Sequence, residues 1–157
     1  LGGTFRFQIV GDGRKRKLLE ERVATLGIDN VEFLPPVGRE QLIQYYEQAD
    51  ILFLHLNDVP AFKRVLPSKI FEYAALGKPI VAGLSGYSAK FLQQNVPHAF
   101  LFNPGDYNAG TSCLLDAVGS LVSEINTNTF VAKYSRSIIM EQMATQLINL
   151  IGTSVDD

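Results

Sequence analysis

The stretch ILFLHLNDVPAFKRVLPSKIFEYAALGKPIVA, residues 51–82, decides the fold. It opens on an apolar run at 51–54 and closes on another at 80–82, neither showing the polar alternation of a half-exposed strand. Between them lies one locally bounded helix. Pro67 cannot continue a helix backwards, Ser68 is a good N-cap, and Gly77 followed by Pro79 is a stop signal, which predicts a helix over 69–76. Strand, helix and strand in that order make a crossover between parallel strands, with apolar strands buried on both faces.

The same alternation extends in both directions. Strands are predicted at 5–10, 31–34 and 99–102, and helices at 15–26, 40–48, 87–95 and 109–124. Phe130, Tyr134, Ile138, Met143, Leu147 and Leu150 recur at helical spacing and predict a final amphipathic helix of about twenty residues. The Ser-Asn-Thr-rich stretch at 123–129 reads as a connector. The fold class is therefore α/β, a three-layer sandwich around a mostly parallel sheet. One domain is expected over 1–152, with a tail at 153–157.

At 157 residues, with 46% hydrophobic and 19% charged, the composition is that of an ordinary globular domain. The formal charge of -2 conceals a basic tetrad, Arg14-Lys15-Arg16-Lys17. Such a run reads as a solvated face, with phosphate contact or an anionic membrane surface as the alternatives. No second basic stripe or basic-aromatic interleaving follows, so no nucleic-acid partner is expected. The single cysteine, Cys113, excludes an internal disulfide and a cysteine-based metal site, favours a reducing cytoplasmic compartment, and reads as helix filler. No signal segment and no membrane-length apolar stretch occurs. The chain opens Leu1-Gly2-Gly3 and enters a strand almost at once, so a fragment of a larger protein is expected.

Ligands of open parallel sheets bind beyond the carboxyl ends of the strands, which makes the residues after each strand the candidates. These are Gly11-Asp12-Gly13, Pro35-Pro36-Val37-Gly38, His55 with the loop after it, Gly83-Leu84-Ser85-Gly86, and Asn103-Pro104-Gly105-Asp106. Gly11-Asp12-Gly13 invites a dinucleotide reading, but the third glycine of that fingerprint would fall on Arg16. A bare turn, or anion binding at the next helix, remains. No phosphate-loop pattern and no nucleophile elbow occurs. No Asp-x-Asp occurs either, so no metal site is expected. His55 and His98 flank apolar strands and read as structural.

The long loop from His55 to Leu66 carries Asp58, Lys63 and Arg64. It is either a solvated loop or one side of a phosphate site completed by the N-H groups of the Ser68 helix. Glu72 falls one position beyond the capping-box site, which is Phe71. Either the helix dipole favours it there, or it is a ligand; its apolar neighbours predict a mostly buried carboxylate that a pair of sugar hydroxyls would satisfy.

Together, Gly11-Asp12-Gly13, Val31 to Leu34, Leu42 to Asp50 (LIQYYEQAD), Pro67 to Pro79 (PSKIFEYAALGKP) and Phe102 to Asp106 resemble the carboxy-terminal domain of family 4 glycosyltransferases. The likeness is greatest to the bacterial branch that transfers amino-deoxy sugars such as N-acetylfucosamine. The resemblance implies a Rossmann-like domain, one half of a GT-B fold, which binds a nucleoside-diphosphate sugar donor. It also implies a missing N-terminal domain, and a missing first strand and helix that carry a phosphate-binding Arg and Lys. By the same resemblance Glu72 matches the second acid of a Glu-x7-Glu motif and would hold the ribose hydroxyls. The first acid would fall at position 64, which here is Arg64, and Arg64 would meet phosphate instead. Ser68 and Lys69 would lie by the diphosphate, Gly11, Gly13 and Gly86 would line the cleft, and the turn ending at Val37 would edge the base.

The reaction so implied is retaining, metal-independent glycosyl transfer to a polysaccharide or lipid-linked acceptor, with no cofactor beyond the donor. Lys69 and Arg64 are the catalytic candidates, stabilising charge on the departing diphosphate. The implied location is cytoplasmic, with peripheral contact at the inner face of the membrane open. The alternatives are a non-catalytic nucleotide-sugar binding domain and a nucleotide-sugar 2-epimerase.

Overall fold

Apolar segments of four residues become the strands of the protein, and the longer periodic segments between them become its helices. The computed structural model describes residues 5–122 and 124–152. In chain order the elements are β1 (Phe7–Val10), α1 (Arg16–Thr25), β2 (Val31–Leu34), α2 (Arg39–Gln48) and β3 (Leu52–His55), then a short 3-10 helix (Pro60–Arg64). There follow α3 (Lys69–Ala75), β4 (Ile80–Gly83), α4 (Tyr87–Asn95), β5 (Ala99–Phe102), α5 (Tyr107–Gly119), α6 (Asn128–Tyr134) and α7 (Arg136–Gly152). The architecture is Rossmann-like α/β, and every strand pairing is parallel. The chain forms two compact units, residues up to Tyr45 and residues from Tyr46 onward.

In the first unit β1 pairs with β2, in a register that sets Phe7 against Val31 and Val10 against Leu34. Across that ladder Glu32 accepts from Arg6 at 2.8 Å and from Gln8 at 3.1 Å. None of the described residues of this unit is buried, so polar ties rather than a core carry much of its order.

The core lies in the second unit, where the order is β3-β4-β5. Central β4 is buried along its whole length, because helices cover both of its faces. On one face Val81 and Phe102 pack with Ala117 of α5. Ala89 and Gln93 of α4 lie beside Ala99 and Leu101 of β5. Helix α3 contributes the buried Ile70, Tyr73 and Ala74. It stops where expected: Gly77 takes φ 65° in the left-handed region, and a Cβ there would stand 3.1 Å from the Ile125 carbonyl. Lys78 then donates to the carbonyls of Glu47 and Ala49 and so caps the end of α2. Cys113 is the helix residue expected of it, its Sγ 3.5 Å from the Leu101 carbonyl, and burial pushes its thiol up.

Two helices depart from expectation. Helix α5 starts earlier than 109–124, because the Asp106 carboxylate accepts from the Ala109 N-H at 2.9 Å and caps it, and it ends earlier, at Gly119 with Ser120 as C-cap. The single final helix is in fact two. Ser135 is extended (φ -64°, ψ 143°), and its hydroxyl accepts from the Ile138 N-H, ending α6 and capping α7. The tail at 153–157 lies outside the described residues. Among the described residues no helix is long and apolar enough to cross a membrane.

Candidate functional site

The first unit places Gly11, Gly13 and Val37 just beyond the carboxyl ends of β1 and β2. Gly13 and the Pro35-Pro36 pair are exposed, while Gly11 and Val37 are half-buried. Gly11 takes φ 138°, and a Cβ on either glycine would meet nothing within 4 Å, so the turn after β1 borders open space.

The basic tetrad is not a uniform solvated face. Arg14, Lys15 and Lys17 are exposed, but Arg16 turns inward. Its Nη1 donates to the Gly11 carbonyl at 2.6 Å and the Leu34 carbonyl at 2.7 Å, and its Nη2 to the Phe33 carbonyl at 3.2 Å. Its Nε meets Glu20 at 2.8 Å. Sequence reasoning missed this residue, because a run of four like charges says nothing about which one the helix rotates toward the strand ends.

In the second unit Arg64, Ser68, Lys69 and Glu72 are all exposed, Arg64 at the end of the 3-10 helix and the others at the start of α3. The expected burial of Glu72 is thereby corrected. Ile70, Tyr73 and Ala74 form the buried side of a helix of seven residues, and Glu72 projects off that side. Its charge is still felt beneath: after burial, the Glu72 carboxylate is the next cause that pushes the Tyr46 phenol up. The Tyr73 phenol is raised by burial first, then by Tyr46 and Glu72.

Ser68 is also corrected, since it has helical dihedrals and no side-chain capping bond. The helix starts on backbone groups instead, Ile70 N-H donating to the Pro67 carbonyl at 3.1 Å and Phe71 N-H to the Ser68 carbonyl at 3.0 Å. Those two N-H groups are therefore not available to an anion. Of the loop cations, Lys63 pairs with Asp58 at 3.2 Å. Among the described residues no ion pair involves Arg64, Lys69 or Glu72.

Gly86 has a packing reason to be glycine. At φ 69° it lies against the 3-10 helix so closely that a Cβ would fall 2.3 Å from the Lys63 carbonyl. Ser88, fully buried, donates to the Val65 carbonyl. Ser85 lies 3.5 Å from Asp58. The loop after β3 is thus held against the start of α4 at several points.

His55 forms an aromatic row with Phe53 and Phe102, its ring 6.4 and 6.1 Å from theirs. His98 is half-buried, with Nε2 unpartnered and its imidazole pushed below the usual range by burial. An open groove of about 530 Å³ runs beside β5, lined by Gln93, Leu101, Asn103 and Asp106 among others. Of the stretches that follow the strands, Leu84, Asn103 and Asp106 line it, with Asp106 engaged as a helix cap, whereas Gly11, Gly13, Val37, Arg64, Ser68, Lys69, Glu72 and Gly86 do not. Among the described residues no group of His, Cys, Asp and Glu could hold a metal ion.

A family model described as glycosyl transferases group 1 matches residues 2–124. The chain belongs to that family. Both turns of the first unit, the loop after β3 and all of α3 fall inside the matched span of this glycosyltransferase chain. A curated relative, the D-inositol 3-phosphate glycosyltransferase of Mycolicibacterium vanbaalenii, is 35% identical over 91 residues, which cover 56% of this chain and 19% of the relative. The group 1 chain thus spans about a fifth of that relative's length. No solved structure gives a significant match.

Proposed function

We propose that the chain is the donor-binding part of a retaining, metal-independent glycosyltransferase, which takes a nucleoside-diphosphate sugar of the amino-deoxy type and serves a polysaccharide or lipid-linked acceptor. The observation that carries this reading is the exposed set at the start of α3. Glu72, Lys69 and Ser68 are presented to solvent by a helix whose other side is buried, within a chain of the glycosyl transferases group 1 family. An exposed carboxylate with no ion-pair partner suits a pair of ribose hydroxyls, each donating a charge-assisted bond. Lys69 and Arg64 are the cations suited to the diphosphate, whose charge grows as it leaves. Ser68 contributes a hydroxyl to the same group. Within the first unit, taken by itself, the turns at Gly11, Gly13 and Val37 are the nucleotide-facing candidates.

One departure favours a second reading. Arg64 stands where the family resemblance implies an acid toward the donor sugar, which suits a module that binds nucleotide without transferring sugar.

Thermal-shift titration with UDP, GDP and their sugars tests both. The expected result is stabilisation by one nucleoside diphosphate. Glu72→Gln is expected to weaken its affinity about tenfold while leaving the ligand-free melting temperature unchanged, since the residue is exposed. Unchanged affinity removes Glu72 from the site. Binding by the complete protein with neither transfer nor hydrolysis of any donor sugar selects the binding module.

A further inference from the structure

We propose that Arg16 is a positioning residue whose guanidinium fixes the turns at Gly11–Gly13 and Pro35–Val37 in one shape; its relevance to nucleotide binding rests on the function proposed above. The bonds converge on a single point of the first unit. Three carbonyls, those of Gly11, Phe33 and Leu34, point at the planar fork, and Glu20 closes it from the side of α1. The Leu34 oxygen also accepts the Gly11 N-H at 3.1 Å, so both of its lone pairs are engaged. The side chain is 23% exposed.

Three converging carbonyl dipoles repel one another and any anion that approaches. The guanidinium relieves that repulsion from below, while the open sides of the turns remain accessible. In a unit none of whose described residues is buried, these bonds tie the ends of β1 and β2 together. Lysine cannot replace the fork, since a compact ammonium on a flexible stem does not span several acceptors in one plane. Arg16 is for the same reason a poor direct ligand of phosphate: its N-H groups are largely committed to protein acceptors.

The test compares the chain with Arg16→Lys by hydrogen exchange at the Gly11 amide and by UDP and GDP affinity. Exchange about tenfold faster and affinity about tenfold weaker are expected in the variant. Arg16→Ala supplies a second arm, which asks whether the planar donor fork itself, rather than bulk or charge, holds the turns. Guanidinium at about 20 mM is expected to restore nucleotide affinity, and ammonium at equal ionic strength is not. Unchanged Gly11 exchange in Arg16→Lys overturns the proposal even if nucleotide binds. If the parent chain binds no nucleoside diphosphate while Gly11 exchange still accelerates, the functional reading fails and the locking of the turns stands. Should Arg16→Lys lose its helical circular dichroism, Glu20→Gln, which weakens only the Nε acceptor, takes its place. About threefold faster exchange is then expected, and no change overturns the proposal.

Discussion

Tyr46 is 9% exposed, and its ring stands edge-on to Tyr73 with centroids 5.2 Å apart; its buried hydroxyl has the Tyr73 phenol as its neighbour but makes no hydrogen bond of good geometry. An orphaned buried hydroxyl costs stability, whereas the ring that carries it packs well. Tyr46→Phe is therefore expected to raise the unfolding free energy by about 1 kcal/mol in urea titration. A loss of similar size would reveal a partner for the hydroxyl. At this scale the sequence was legible for residue type and silent on direction. Glu72 has Phe71 and Tyr73 as chain neighbours, but successive helix residues point about 100° apart, so apolar neighbours in sequence do not bury it. Arg16 fails in the opposite sense, one of four adjacent cations and the one whose side chain is turned inward.

Among the elements, the strand positions and the helices bounded by glycine or proline breaks were readable, because their signals lie within a few residues. Val31–Leu34, Tyr87–Asn95 and Ala99–Phe102 match the bounds expected from apolar runs and their flanking breaks. The break at Ser135 was not readable, since Phe130, Tyr134 and Ile138 keep helical spacing across it and only the serine's backbone and hydroxyl divide α6 from α7. Gly86 shows how an element junction can mislead. Read as a place where a ligand approaches the backbone, it is also where the 3-10 helix approaches it. Gly86→Ala would drive a methyl into the Lys63 carbonyl at a φ that alanine rarely adopts. The expected cost is about 2 kcal/mol or more in urea unfolding, with displacement of the loop. A neutral result would show that the loop yields at no cost.

For the whole molecule, the parallel alternation followed from pattern alone. The distribution of strands over a two-stranded and a three-stranded sheet did not, because no local signal states which strand pairs with which. Global stability also acquires a pH dependence from a single buried group. Burial holds the His98 imidazole below its ordinary 6.5, so as pH falls the unfolded chain takes up the proton first. The contribution of His98 is present above that value and is lost as pH falls toward the folded pKa. Melting temperature is expected to fall between about pH 7.5 and about pH 5.5, and His98→Gln to flatten that part of the profile. An unaltered slope in the variant would assign it to other groups. The loop after β3, fastened through Ser88, Gly86 and the Asp58–Lys63 pair, has a consequence for kinetics. A wall already ordered before a ligand arrives needs no gate to open. Were it to line the proposed donor site, association there would be limited by diffusion and charge, the entropy of arranging that segment having been settled during folding rather than at each encounter.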